Sequence, residues 1–334
     1  MTVLEIPSTE GTARRAPGRP DAWTILGTDV SAADTAREAL DMGHMRDWNV
    51  RLWADTYARH MDGSGVTELA MPDTRAAIRT NPLTGEAEYV GRVGNQYTAV
   101  QIEDHEDILD MVRRESGATF HKLGAYGNNG SRYFISMTLP RVVRIGGIDE
   151  HRSHLTLFGS HNGSSSNSLH IGSTRLDCGN MQRLIISGAK HKYSIPHTAS
   201  APVKLVKVQQ SLTTLFEWQD AFEREAQRLL DTPLTLGQFE KVVTRVFDDP
   251  ALPSKKQHTN ITVRNNALRS LFEDAATQQT IRGTAWAGWN AIGEYLDHLA
   301  PAKSDSSRAA RSLADSGAVT ERKTEAYKLL TLAA

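Results

Sequence analysis

Residues 127–159, GNNGSRYFISMTLPRVVRIGGIDEHRSHLTLFG, decide the fold. Tyr133, Ile135, Met137 and Leu139 alternate with Arg132, Phe134, Ser136 and Thr138, the period-two pattern of a strand with one buried face. Gly127-Asn128-Asn129-Gly130 in front of it is a hairpin signature. A second pair follows, in which RVVRI at 141–145 turns through Gly146 and Gly147 into HRSHLTLFG at 151–159. After the polar loop HNGSSSNS, LHIGSTRL at 169–176 reads as another strand. The pattern predicts an antiparallel meander.

Outward from this stretch the period becomes helical. Upstream, YVGRVGNQY at 89–97 fits a strand with a turn, and Glu103, Asp104 and Glu106 open a helix that Arg113, Arg114 and Gly117 close. Acids at the start, bases at the end and a glycine beyond suit the helix dipole and a left-handed cap. SAADTAREALDMGHM at 31–45 has helical spacing behind a cap at Ser31, and WNVRLWADTYA at 48–58 fits strand or helix. Downstream, GNMQRLII at 179–186 is expected to begin a helix. Leu205, Val208, Leu212, Leu215, Phe216, Phe222 and Leu229 mark a long amphipathic helix over 203–230 that Pro233 ends. QFEKVVTRVF, VRNNALRSLFEDA and TAWAGWNAIGEYLDHLA are further helices, DDPALPSKKQHTN is a linker, and EAYKLL is a short final helix. The expected class is α+β: a central antiparallel β-meander with packed helices and a helical C-terminal region. Its order is a disordered tail (1–20), an N-terminal α/β portion (21–84), the central sheet domain (85–200), a helical region (201–300) and a loosely ordered tail (301–334).

Composition excludes several function classes. The 334 residues carry 38 Lys and Arg against 39 Asp and Glu, so a charge argument must be local. One cysteine, Cys178, rules out an intramolecular disulfide and any multi-cysteine metal site. The first twenty residues lack the apolar run of a secretory signal, and no stretch is apolar enough to span a bilayer. A soluble protein of the cytoplasm is expected, with no membrane partner. Neither GxxxxGK[ST] nor a strand-following GxGxxG occurs, which argues against a nucleotide cofactor.

VGNQYTAVQ, SRYFISMTLP, LFGSHNGSSS, TRLDCGN, the pair His197-Thr198 and TAWAGWNAIGEYLDH together resemble the phage and plasmid family built on domain of unknown function 932. AWTILG and TAREAL resemble that family's opening, while Asp177 and Pro196 depart from its usual residues. The resemblance implies a mobile-element origin in a bacterial host and a fold outline. It brings no catalytic residues, because the family has no established activity.

Local charge singles out one region. From Gly117 to Ser200 nine Lys or Arg (Lys122, Arg132, Arg141, Arg144, Arg152, Arg175, Arg183, Lys190, Lys192) face three acids (Asp149, Glu150, Asp177), and seven of the twelve histidines lie there too. A β-rich basic segment with Tyr126, Tyr133 and Phe134 among its bases suits a single strand of DNA, phosphates meeting cations and bases stacking on rings. The expected interface is Lys122, Tyr126, Arg132, Phe134, Arg152, Arg175, Arg183, Lys190 and Lys192, acting without nucleotide or metal, possible strand annealing included. The bland alternative is an ordinary sheet face balanced by the acidic 103–116 helix. The element order also resembles that of phage single-strand annealing proteins, which implies that Lys122, Arg132, Arg152, Arg175 and Lys190 face a groove and that the 203–230 helix joins subunits of a homo-oligomer.

Two other classes compete. Asp149, Glu150, His151 and His154, with His161 and His170 nearby, form a ligand set for a metal-dependent nuclease or hydrolase. Positions three apart in a strand point to opposite faces, however, so His151 and His154 converge only across a bulge. Cys178 reads as a small buried hydrophobe, with His197 a conceivable base for it. Trp286, Trp289 and Tyr295 read as a core stripe, or else as the face through which the C-terminal helices bind a host factor.

Overall fold

The computed structural model describes residues 20–54, 57–63, 65–176, 179, 181–182, 190–195, 201–314 and 316–332. Residues 1–19 of the expected 1–20 tail, together with Cys178, Arg183 and His197, lie outside them. In chain order the elements begin with α1 (Ala22–Leu26), β1 (Thr28–Asp29), α2 (Ala36–Met42), β2 (Arg51–Trp53), β3 (Tyr57–Asp62), β4 (Gly65–Ala70), β5 (Thr74–Thr80) and β6 (Ala87–Gly94). There follow α3 (Glu106–Ser116), β7 (Thr119–Tyr126), β8 (Arg132–Ile145), β9 (Asp149–Ser160), β10 (Ser168–Arg175), β11 (Met181–Gln182) and β12 (Lys192–Ser194). The helical region comprises α4 (Ala201–Leu230), α5 (Leu236–Val246), α6 (Lys255–Glu273), α7 (Ala285–Glu294), α8 (Asp305–Leu313) and α9 (Ala318–Leu332). The protein is α+β, with a central antiparallel meander.

That main sheet has the order β1-β7-β8-β9-β10-β11, with β12 pairing β10 along its other half. The alternation read from sequence sets its faces. Tyr133, Ile135, Met137, Leu139, Leu155, Leu157, Leu169 and Ile171 point into the large core shared with α2, α3, α4 and the C-terminal helices. On the opposite face Phe134 and Phe158 pack against Trp23 of α1 and Ala309 and Leu313 of α8. A smaller sheet, β2-β5-β6, encloses Ala77, Val90 and Val93, and the β3–β4 hairpin is exposed along its whole length.

Several expectations need correcting. SRYFISMTLP and RVVRI form one strand, β8, because a bulge between Thr138 and Val142 carries the ladder past Pro140. The cap of α2 is Thr35, whose side chain accepts the Glu38 amide, while Ser31 donates to Asp29 instead. The open segment 48–58 is extended, giving β2 and the start of β3. Met181 and Gln182 pair with β10 rather than starting a helix. Helix α6 begins inside the expected linker because Ser254 and Gln257 close a capping box. Residues 301–334 hold two helices, α8 under its Ser304 cap and α9, which buries Val319, Ala326, Tyr327 and Leu330. The 103–117 helix stands as expected, with Gly117 in the left-handed region at φ 68°.

Candidate nucleic-acid interface

Strand alternation and register give each expected interface residue a definite place, and they do not form one stripe. Lys122 is buried opposite Asp29 of β1, its Nζ 3.2 Å from the carboxylate. The hydroxyl and amide of Ser31, then Lys122, hold the Asp29 carboxyl far below the usual range. Phe134 is fully buried with its ring centroid 4.9 Å from that of Trp23, so it belongs to the core and stacks on no base. Arg175 is fully buried and donates to Asp149. Other cations of the 117–200 segment are neutralised as well: Arg141 by Asp220 and Glu223 of α4, Arg144 by Glu150.

The acidic helix does not cover a basic face either. Asp110 accepts the Ala36 amide, Glu103 the Asp47 amide, and Glu106 pairs with Arg46, so these acids of the 103–116 segment serve the N-terminal segment. Helix α4 lays Val208, Leu212, Leu215, Trp218, Phe222 and Leu229 on the sheet and core, so that face joins no subunits. Trp286 and Trp289 are buried, and Trp289 Nε1 donates to the Lys323 carbonyl, which removes the expected host-factor face.

The metal-ligand cluster is divided by the sheet. His151 sits among Phe222 and Trp286 on the core side, whereas His154 lies against Trp23 and His121 on the other. Asp149 and Glu150 part in the same way, the first buried and the second paired with Arg144. Among the described residues no group of three or more His, Cys, Asp or Glu could hold a metal ion. Burial keeps His154 neutral, with a pKa well below the usual histidine range.

What the fold does assemble is a smaller basic groove of about 320 Å³ where β12 meets α4. Lys190, Lys192 and Tyr193 come from β12 and the residues before it, and Lys207, Gln210, Ser211 and Thr214 come from α4. No acid lines it among the described residues. Lys190 and Lys207 are exposed and enter no ion pair with a described residue. Tyr193 packs partly on the core, and burial raises its phenol pKa, so the ring is neutral and held in place. Sequence reasoning found Lys190 and Lys192 but missed Lys207 and Tyr193. The signal was present in KHKYS at 190–194 and on the polar face of the long helix, yet only the β10–β12 ladder brings the two together.

Of the remaining expected residues, Arg152 is exposed on the α1 side of the sheet opposite Thr174. Tyr126 and Arg132 line a separate, smaller hollow. Fold and groove define an α+β protein with a helix-backed antiparallel sheet and a lysine-lined recess at its β12 edge. The family model for a domain of unknown function, DUF932, matches residues 89–316, and the chain belongs to that family. No curated protein and no solved structure matches the chain.

Proposed function

We propose that this protein binds single-stranded DNA without catalysis, through the groove of Lys190, Lys192, Lys207 and Tyr193. The observation that carries the reading is the convergence of Lys190 and Lys207, beside Lys192, on one recess with no acid among its described lining residues, in a chain of nearly balanced charge. Phosphates supply the counter-charge, and a ring beside them offers a stacking surface, the pairing on which sequence-tolerant strand binding rests. Arg132 and Arg152 are left from the wider set as accessory contacts, and Lys122, Phe134 and Arg175 drop out of it. Homo-oligomerisation and a role in phage or plasmid recombination or replication, in the cytoplasm of a bacterial host, belong to the same reading.

Fluorescence anisotropy with a labelled oligonucleotide, single- against double-stranded and at two salt concentrations, tests it. Tighter binding of the single strand that weakens steeply with salt is expected, with a further loss in Lys190→Ala and Lys207→Ala. Absent or salt-independent binding would end the proposal. Light scattering on the same samples reports the oligomeric state.

A further inference from the structure

The smaller hollow lies under the 161–168 loop and has a volume of about 190 Å³. Its loop is fixed from inside: Ser160 Oγ donates to the Ser165 carbonyl at 2.8 Å and accepts the Ser165 amide at 3.1 Å. Asn162 Oδ1 accepts the Ser164 amide at 3.0 Å. Arg132 reaches up from β8 and donates through Nε to Ser164 Oγ at 3.0 Å. That bond orients the guanidinium and leaves both Nη groups bonded to no described residue; Arg132 has no carboxylate partner among them. Tyr126, Ser165, Ser168 and Ser316 complete its polar lining among the described residues.

We infer that this hollow binds a phosphate monoester, held by Arg132 with the hydroxyls of Ser164 and Ser165. A guanidinium fork meets two phosphate oxygens at once, and hydroxyls of the loop serve the third. Volume limits what enters. Ordinary small-molecule clefts measure about 300–1,000 Å³, so this one takes a phosphate with a few attached atoms and excludes a whole nucleotide. The loop sequence HNGSSSNS is explained on this reading by its supply of small hydroxyl donors beside an arginine. Ser168 pairs with Ser194, two residues from Lys192, so the hollow and the lysine groove flank one β10–β12 ladder. The monoester is either the terminal phosphate of a bound strand or a small phosphorylated compound. Only the first source depends on the proposed strand binding.

Isothermal titration calorimetry of the full chain with inorganic phosphate is the direct test. Saturable binding is expected, weakened about tenfold to hundredfold in Arg132→Ala, as loss of a charge-assisted contact implies. Arg132→Lys keeps the charge but not the fork and falls between. Arg144→Ala, on a different stretch of the sheet, leaves phosphate binding unchanged. Thermal melting of each variant shows that the fold is intact. A second arm compares one oligonucleotide with a 5′-phosphate or a 5′-hydroxyl. An affinity gain from the 5′-phosphate that Arg132→Ala abolishes assigns the strand end, whereas equal binding of both with retained phosphate binding assigns a small compound. No saturable phosphate binding, or binding unaltered by Arg132→Ala, overturns the inference, and neither result bears on Lys190 and Lys207.

Discussion

Arg175 Nε donates to Asp149 Oδ1 at 2.6 Å with both side chains wholly excluded from solvent. Trp286 Nε1 of α7 donates to the other carboxylate oxygen at 2.6 Å, and Arg175 Nη1 to the Thr277 carbonyl at 2.5 Å. The pair thus fastens the ends of β9 and β10 to the helical region. Removing one member strands a buried charge, which costs about 3–5 kcal/mol, while replacing both by apolar residues costs much less. Asp149→Asn and Arg175→Met are each expected to lower unfolding free energy by that amount in urea titrations. The double variant Asp149→Leu, Arg175→Met is expected to recover only part of it, because Trp286 Nε1 and the Thr277 carbonyl lose their partners.

Acid should destabilise the protein in two separate steps. Burial, reinforced by Arg79, lowers the His161 pKa to about 4, so the folded state resists a proton that the unfolded chain accepts below about 6.5. Stability is therefore unaffected above that pH and falls as pH drops to 4, by about 3 kcal/mol from this residue. His154, also kept neutral by burial, adds to the same step. His161→Phe, which keeps a ring against Tyr133, should flatten the loss between pH 6.5 and 4 in urea titrations. Asp149 governs the lower step. Burial opposes its ionisation, but the His151 hydrogen bond and the Arg175 charge prevail and hold it at about 2. Its contribution is complete above about pH 4 and disappears towards pH 2.

The lysine groove makes a quantitative salt prediction. Each phosphate neutralised on a single strand contributes a slope of about −0.7 in log affinity against log salt. Lys190→Ala with Lys207→Ala should flatten the measured slope by about 1.4. An unchanged slope with reduced affinity would mean that these amines act on the fold and not on phosphates.

Gly124 is required by a close backbone approach. A Cβ there would stand 2.2 Å from the Leu26 carbonyl oxygen at the end of α1, and the main chain cannot yield as a flexible side chain would. Gly124→Ala is expected to cost about 1–3 kcal/mol and to loosen α1 from the sheet, exposing Trp23. Tryptophan fluorescence quenching and thermal melting would show both effects.

The fold was legible where periodicity is local. Alternation in 132–139 and the charge-capped run 103–117 each rest on neighbours within a few residues, and both elements formed where expected. Residues 301–334 were misread because Ala309 and Leu313 offer little apolar surface of their own. Their helix is stabilised by packing on Ala22 and Trp23, almost the whole chain away. The interface was read less well, since a count of charges along a segment carries no information about which carboxylate each cation meets. Asp29 lies 93 residues from Lys122, and Asp220 lies 79 from Arg141.

Sequence alone determined the α+β class, the meander and the alternation along 132–139, because a strand's two-residue period and a helix's caps are properties of adjacent residues. It argued against a joint site of His151 and His154 unless a bulge intervened, and the structure sets them on opposite faces. Only the tertiary structure decided which cations remain available: ion pairing and burial depend on partners brought together by sheet register and helix packing. That choice withdrew Lys122 and Arg175 into the interior, joined Lys207 to Lys190 and Lys192, and set Arg132 among serines in a hollow of its own.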